Sequence, residues 1–172
     1  MNHVHFPTAI GACGISWGKA GVTGFQLPGG PQERGGAGAP AGGPGPGDGV
    51  PEWIRGIIAR VRLHLEGSPQ DFSDVPLEWG NVSPFQRAVY LKAQRVGPGL
   101  TTSYGDIARA LGLGPEGARA VGAALGSNPW PLLVPCHRVV SSGGKMTGFS
   151  APGGVRTKTR LLALEGAELL SE

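Results

Sequence analysis

Residues 135–140 read Pro-Cys-His-Arg-Val-Val and set Cys136, one of only two cysteines in the 172-residue chain, directly before His137. Three roles suit that thiol: a nucleophile with an imidazole base, a metal ligand, or a small apolar residue in a core. A free thiol has a pKa of about 8.5, so attack near neutrality needs a base or a neighbouring cation. Side chains adjacent in sequence usually diverge, so proton transfer from Cys136 to His137 is expected to run through an intervening water. Glu165 is the sole acidic residue between Gly117 and Ala167, which makes it the candidate to hold the imidazole in one tautomer. Metal ligation has thinner support, because the chain contains neither a C-x-x-C nor an H-x-x-x-H spacing. A zinc site would have to be assembled from His3, His5, Cys13 and His64. Cys13, set among glycines in a strand-like stretch, reads as a small buried residue.

A relay of this kind needs fixed elements behind it. Ser83 and Pro84 suit the N-cap and first position of a helix PFQRAVYLKAQRV. Ser103, followed three residues later by Asp106, resembles a capping box opening YGDIARALG. Gly112 and Gly114 flank a tight turn, and Pro115 starts PEGARAVGAALG; helix, short turn, helix is the outline of a helix-turn-helix. Gly117 and Gly122 each cost about 1 kcal/mol relative to alanine inside a helix. Close approach of that small-sided face to another surface, a neighbouring helix or a nucleic-acid groove, would offset the cost. Arg119 protrudes from the same segment. The chain then turns at Asn128 and Pro129, runs through LLV into Cys136, makes a hairpin turn at SSGGK and closes with a helix RTKTRLLALEGAELL.

Upstream, residues 28–49 are Gly or Pro at 15 of 22 positions and read as a flexible loop or linker. Before them, ISWGKAGVTGFQL has short β-type runs broken by glycines, consistent with a hairpin or meander. After them, EWIRGIIARVRLHLEG places Ile54, Ile57, Ile58, Val61 and Leu65 at helical spacing. An N-terminal α+β domain over 1–78 and a second domain over 79–172 are expected. No apolar run reaches 18 residues and the N-terminus lacks the pattern of a leader, so a cytoplasmic protein without membrane attachment is expected. Two cysteines so far apart fit a reducing compartment. The net charge of +3 is uneven: residues 1–83 carry five Lys/Arg against seven Asp/Glu, whereas 84–164 carry ten against only Asp106 and Glu116. Such a footprint is expected where a surface meets phosphates, and Arg156, Lys158 and Arg160 form a candidate cluster for that contact.

From Phe85 to Gly166 the chain resembles the C-terminal domain of the O6-alkylguanine-DNA alkyltransferases, the methylated-DNA–protein-cysteine methyltransferases. The segments FQRAVY, TSYGDIA, ARAVGAALGSNPWPLLVPCHRVV, GFSAPGG and LLALEG occur in order and at similar spacing. FPTAIGACGISWGKAGVTGFQLP resembles the opening strands of the same family. The resemblance implies an α+β fold: a small N-terminal α/β domain, then a mainly helical, winged-helix-like domain carrying a helix-turn-helix. It implies direct DNA repair, in which the alkyl group of O6-alkylguanine, chiefly O6-methylguanine, passes irreversibly and stoichiometrically to Cys136 after the base is flipped out through the minor groove.

On that resemblance His137 is the water-mediated base and Glu165 the carboxylate that orients it. Tyr104 is a phenol that donates toward the departing guanine, and Asn128 ties the turn behind the pocket to the helix-turn-helix. Pro131 and the carbonyl of Val139 wall the pocket, Ser150 donates to the substrate oxygen, and Phe149 stands where many relatives carry tyrosine. Arg119 fills the space left by the extruded base, with Ala120, Gly122, Ala123, Thr101 and Ser103 completing the DNA-facing set. The implied partner is double-stranded DNA containing O6-alkylguanine, met by a monomer without cofactor or metal. Two other readings stay open at this point: a cysteine hydrolase or acyltransferase with repeated turnover, and a lesion-recognition module that binds without transfer. Non-transferring relatives lack the acceptor cysteine, which this chain retains.

Overall fold

Strands β1 (Asn2–Thr8), β2 (Gly11–Trp17) and β3 (Val22–Gln26) form an antiparallel meander in the computed structural model, which describes residues 2–28, 49–114, 116–141 and 154–167, with 154–156 by their backbone alone. Residues 29–48 of the expected Gly/Pro loop, the SSGGK turn beyond Ser141, Phe149 and Ser150 lie outside the described residues. Phe6 pairs with Cys13 and Val4 with Ile15, so one face of the sheet carries the apolar side chains and the other carries His3 and His5. The period of two dictates this separation. A register shift between Ser16 and Trp17 precedes β3, and both Val22 and Phe25 are buried.

Helix α1 (Glu52–Leu65) lays Ile54, Ile57, Ile58, Val61 and Leu65 into the core as its spacing predicts, and its last turn buries His64 as well. It packs against β1. The β3 edge is covered by two later segments. Val22 N–H donates to Pro76 O and Glu78 N–H to Val22 O, both at 2.9 Å, while Phe25 N–H donates to Pro129 O at 2.9 Å. The Trp130 indole adds a bond to Val22 O at 2.7 Å. Covering the edge in this way removes a row of unpaired backbone groups.

Helix α2 (Pro84–Gln94) opens on a full capping box: Ser83 Oγ accepts from Gln86 N–H while Gln86 Oε1 accepts from Ser83 N–H. Its buried Tyr90 donates to Ala124 O at 2.6 Å, and Tyr90, Trp79 and Trp130 meet ring to ring. Helices α3 (Tyr104–Ala110) and α4 (Gly117–Gly126) form the expected helix-turn-helix. Gly112 takes φ 77 just past α3, a conformation that suits glycine. Only half of the expected box at Ser103 forms: its Oγ accepts from Asp106 N–H, but the Asp106 carboxylate pairs forward with Arg109. Aspartate is one methylene shorter than the glutamate that usually closes such a box. The two-residue strands β4 (Thr102–Ser103) and β5 (Val139–Val140) pair in parallel, and helix α5 (Gly154–Leu164) closes the described chain. A single cluster of buried apolar residues runs from Phe6 to Leu161. The fold is α+β, and among the described residues no helix is long and apolar enough to cross a membrane.

Candidate active site

Cys136 opens a single 3-10 turn (Cys136–Arg138) at the end of a tightly held loop. Asn128 organises that loop from both ends: its Oδ1 accepts from Trp130 N–H at 2.9 Å and its Nδ2 donates to Val134 O at 3.0 Å. Between them Val134 N–H donates to Trp130 O at 2.8 Å. These bonds hold Leu132 at φ 81, a left-handed conformation that a leucine adopts only when its surroundings impose it. The pairing of β4 with β5 then sets the start of α3, and with it Tyr104, beside the Cys136 turn.

The thiol is 7 % exposed. Burial pushes its pKa up, opposed by hydrogen bonding from Asn128, the nearby Lys158 ammonium and the backbone amides of Cys136 and His137. Next to it, His137 is fully buried, and its Nε2 lies 2.8 Å from Glu165 Oε2. Burial lowers the pKa of His137, with Glu165 acting against that direction. A carboxylate only accepts, so Nε2 carries the proton and Nδ1 the lone pair. That Nδ1 is buried and bonds to no described residue. The ring is thus presented as a neutral base with one basic nitrogen.

Glu165 is the hub of the site. Burial alone would push its carboxyl pKa up, but hydrogen bonds from His137, His64 and Arg138 outweigh it and hold the carboxyl well below the usual range. Arg138 donates from Nε to Oε1 at 2.9 Å and from Nη2 to Oε2 at 2.8 Å, and its Nη1 reaches Val96 O at 2.6 Å. The second imidazole comes from α1: His64 Nε2 lies 2.8 Å from the same Oε2. Neither Arg138 nor His64 emerges from the sequence as part of the relay. The available signal for His64 is its position on the apolar stripe of α1, three residues after Val61, where a buried histidine demands a partner.

Lys158 corrects a further expectation. As part of a basic cluster with Arg156 and Arg160 it is a candidate phosphate contact, yet its side chain is 0 % exposed, one turn of α5 before buried Leu161 and Leu162. Its Nζ donates to Val139 O at 2.7 Å and to Tyr104 Oη at 3.4 Å, and lies 5.6 Å from the Tyr104 ring centroid. Burial lowers its pKa, with the Cys136 thiolate favouring the charged form. Arg160 is exposed as expected of a surface residue, and the Arg156 side chain lies outside the described residues. The carbonyl of Val139 therefore already accepts a bond from Lys158. Pro131 is half-buried in the loop before Cys136.

The suggested metal set does not assemble. His3 and His5 stand on the outer face of β1, Cys13 is in the core, and His64 is engaged by Glu165 and the Gln70 amide. Among the described residues no group of three His, Cys, Asp or Glu side chains is placed to hold an ion.

On α4, Val121, Ala124 and Leu125 face inward while Arg119, Ala120 and Ala123 are exposed on the opposite face, and Gly122 lies between them. The two helix-interior glycines separate in purpose. A Cβ on Gly117 would sit 2.5 Å from Leu113 Cβ and 3.1 Å from Ala108 Cβ, so this glycine is required by the packing of α4 on α3. A Cβ on Gly122 would meet nothing closer than the Tyr104 ring at 3.8 Å. Thr101 is exposed just before β4, and the Ser103 hydroxyl is occupied in capping α3.

Comparison with known proteins bears on what this arrangement does. Residues 84–167 match the family described as 6-O-methylguanine DNA methyltransferase, DNA binding domain. A methylated-DNA–protein-cysteine methyltransferase of Methanothermobacter thermautotrophicus is 33% identical over 156 residues, spanning 91% of this chain and 80% of that protein. A protein of Thermus thermophilus named DNA base-flipping protein is 43% identical over 107 residues, 62% of this chain and 69% of its own length. The crystal structure of Mycobacterium tuberculosis OGT in complex with DNA superposes with a TM-score of 0.76 at 29% identity, covering 96% of this chain and 93% of that one.

Proposed function

The chain belongs to the methylated-DNA–protein-cysteine methyltransferase family, and from that premise we propose that it binds DNA and repairs O6-alkylguanine directly, moving the alkyl group irreversibly onto Cys136. The observation that carries the residue assignment is the buried thiol followed by an imidazole whose Nε2–H is committed to Glu165 and whose Nδ1 is left basic.

The chemistry follows from those groups. Nδ1 of His137 takes the thiol proton through a bridging water, and the Sγ thiolate attacks the alkyl carbon as its bond to the guanine oxygen breaks. One carbon–sulfur bond replaces one carbon–oxygen bond; the departing guanine takes its proton from Tyr104, and the proton held on His137 returns to that phenolate through solvent after transfer, so that in the net reaction the thiol proton leaves on guanine. Tyr104 donates toward the departing base, and Lys158, bonded to that phenol, keeps positive charge beside it. The imidazolium that forms is stabilised by Glu165, which stays ionised because Arg138 balances its charge. A thioether is stable under these conditions, so each chain acts once.

A base inside a duplex cannot reach a buried thiol, and extrusion costs a few kcal/mol. In this reading Arg119, exposed on α4 beside Ala120, Gly122 and Ala123, fills the vacated stack, and Thr101 and Ser103 complete the DNA-facing set. Insertion from the minor groove is an established way to distort a duplex. Pro131 and Val139 wall the pocket, joined in our reading by Phe149 and Ser150. A monomer suffices, since one chain carries every group assigned. We place the domain boundary after Glu78, between the sheet with α1 and the helical part that carries the thiol.

Intact mass before and after exposure to an O6-methylguanine oligonucleotide tests the reading. One added methyl per chain on the Cys136 peptide, absent in Cys136→Ala, is the expected result. Continued turnover with no retained methyl would identify a hydrolase. Binding without any methyl gain would make this a recognition protein.

A further inference from the structure

We propose that His64 is a positioning residue of the proton relay, fixing the Glu165 carboxylate from α1. The proposal rests on the alkyl-transfer reading of Cys136 and adds to it a residue separated by 101 positions in sequence from its partner.

The tautomer of His64 follows from its two contacts. Gln70 N–H lies 2.9 Å from Nδ1, and a backbone amide only donates, so Nδ1 holds a lone pair. The proton of the neutral ring is then on Nε2, which points at Glu165 Oε2 from 2.8 Å. His64 therefore donates to the carboxylate through Nε2 and accepts from Gln70 through Nδ1. The ring is 1 % exposed and packs against Phe72 with centroids 5.3 Å apart, so it cannot swing away without opening the core.

Three donors converge on one oxygen: His64 Nε2, His137 Nε2 and Arg138 Nη2, each 2.8 Å from Oε2. Each fixes part of the carboxylate's orientation and draws part of its charge. The donation from His64 leaves less of that charge for His137. The charged and titratable groups around His137 are Glu165 at the end of α5, Arg138 and Cys136 on its own turn, and His64 from α1. Removing the His64 donor concentrates negative charge on the His137 N–H and raises the basicity of its ring. It also leaves the carboxylate held by Arg138 and His137 alone.

Two substitutions separate this role from a purely structural one. In His64→Gln the side-chain amide reaches the place of Nε2 and can still donate to Glu165; in His64→Asn the carbonyl reaches the place of Nδ1 and can still accept from Gln70. Single-turnover methyl transfer is measured against pH on O6-methylguanine duplex and on free benzylguanine. We expect His64→Gln to keep most of the rate. His64→Asn should lose about tenfold on both substrates, with the acid limb of its profile moved to higher pH. Any other ranking, including equal losses or a faster His64→Asn, assigns His64 to holding the Gln70 segment and overturns the proposal. If a variant does not fold, nitrogen NMR of the wild-type ring decides: Nε2 protonated and Nδ1 bare is required, and the opposite tautomer refutes it. Absence of transfer by the wild type is a separate result and would defeat the alkyl-transfer reading itself.

Discussion

Arg138 grips Glu165 with two parallel hydrogen bonds, Nε to Oε1 at 2.9 Å and Nη2 to Oε2 at 2.8 Å, in a part of the molecule where both side chains are buried. A bidentate fork is among the stronger pairings available to a protein, and it is what allows an ionised carboxylate to sit beside two neutral imidazoles. Removing the guanidinium leaves that charge without compensation. Arg138→Met should therefore cost about 3–5 kcal/mol in urea unfolding, and Arg138→Lys, which keeps charge but not the fork, should fall between it and wild type. The pH dependence has a fixed sign. The Glu165 pKa is depressed in the folded state, so its contribution is complete above the unfolded value of about 4.3 and is lost as pH falls toward the folded value. Arg138→Met raises the folded value, so the window of loss, which opens near the unfolded value in both proteins, is narrower in the variant, and its stability should fall less steeply with acid than that of wild type. Parallel stability curves from pH 3 to 7 would contradict the assignment.

Lys158 tests whether a basic residue near the DNA-facing end serves phosphate or chemistry. Its ammonium is buried and bonded to Val139 O, so it releases no counterion when DNA binds. The log–log slope of duplex affinity against salt should be the same in Lys158→Met as in wild type, whereas neutralising a surface cation that does pair with a phosphate flattens that slope by about 0.9. Transfer should suffer instead. Without the cation the thiol pKa rises further, costing about tenfold in thiolate population for each unit at a given pH. A flatter salt slope with normal transfer to free benzylguanine would return Lys158 to the surface.

The case of Lys158 illustrates what the sequence could and could not disclose. The local signals were readable because they act over a few residues: the apolar stripe of α1, Ser83 and Pro84 at the start of α2, the two helices around Gly112, and the Cys136-His137 pair. Glu165 was readable because no other acidic residue lies between Gly117 and Ala167 to compete for the role. Lys158 and His64 were not, because each is a polar residue on an otherwise apolar helix face, and its partner is supplied by tertiary packing. Charge counting grouped Lys158 with Arg160, although two positions along a helix turn them to different sides. Arg138 was hidden by its neighbours, since a basic residue after Cys-His reads equally well as surface. A useful rule follows for this fold: a charged or imidazole side chain at i, i+3 or i+4 from core residues calls for a search for its counter-group.

Gly117 and Gly122 have the same propensity cost but opposite expected behaviour. Alanine at Gly117 places a methyl 2.5 Å from Cβ of Leu113 in the turn and 3.1 Å from Cβ of Ala108 on α3, which forces α4 away from both; a loss of about 1–3 kcal/mol is expected. Alanine at Gly122 meets only ordinary contact with the Tyr104 ring, so thermal unfolding should be unchanged or improved by up to about 1 kcal/mol. If Gly122 nevertheless serves close approach to a groove, Gly122→Ala should weaken duplex binding while leaving reaction with free benzylguanine intact. Destabilisation by both substitutions alike would show that Gly122, too, is a packing residue.

Arg119 offers the test that separates base extrusion from chemistry. Its side chain is exposed on the outer face of α4, on the opposite side from Val121, Ala124 and Leu125, and it has no part in the Cys136 relay. If it fills the gap in the stack, Arg119→Ala should slow repair of a paired O6-methylguanine far more than reaction with free benzylguanine, which needs no extrusion. The free base removes the thiol from the comparison. Loss of charge could by itself weaken DNA binding, so Arg119→Lys is the control: it keeps the charge but gives up the planar fork, and partial rescue is expected. A lesion in single-stranded or mispaired DNA is already cheaper to unstack and should respond less than a well-paired one. The order of sensitivity is then duplex, mispair or single strand, free base. Equal losses on all of them would mean that Arg119 supports the fold or the relay, and extrusion would have to be assigned to another side chain.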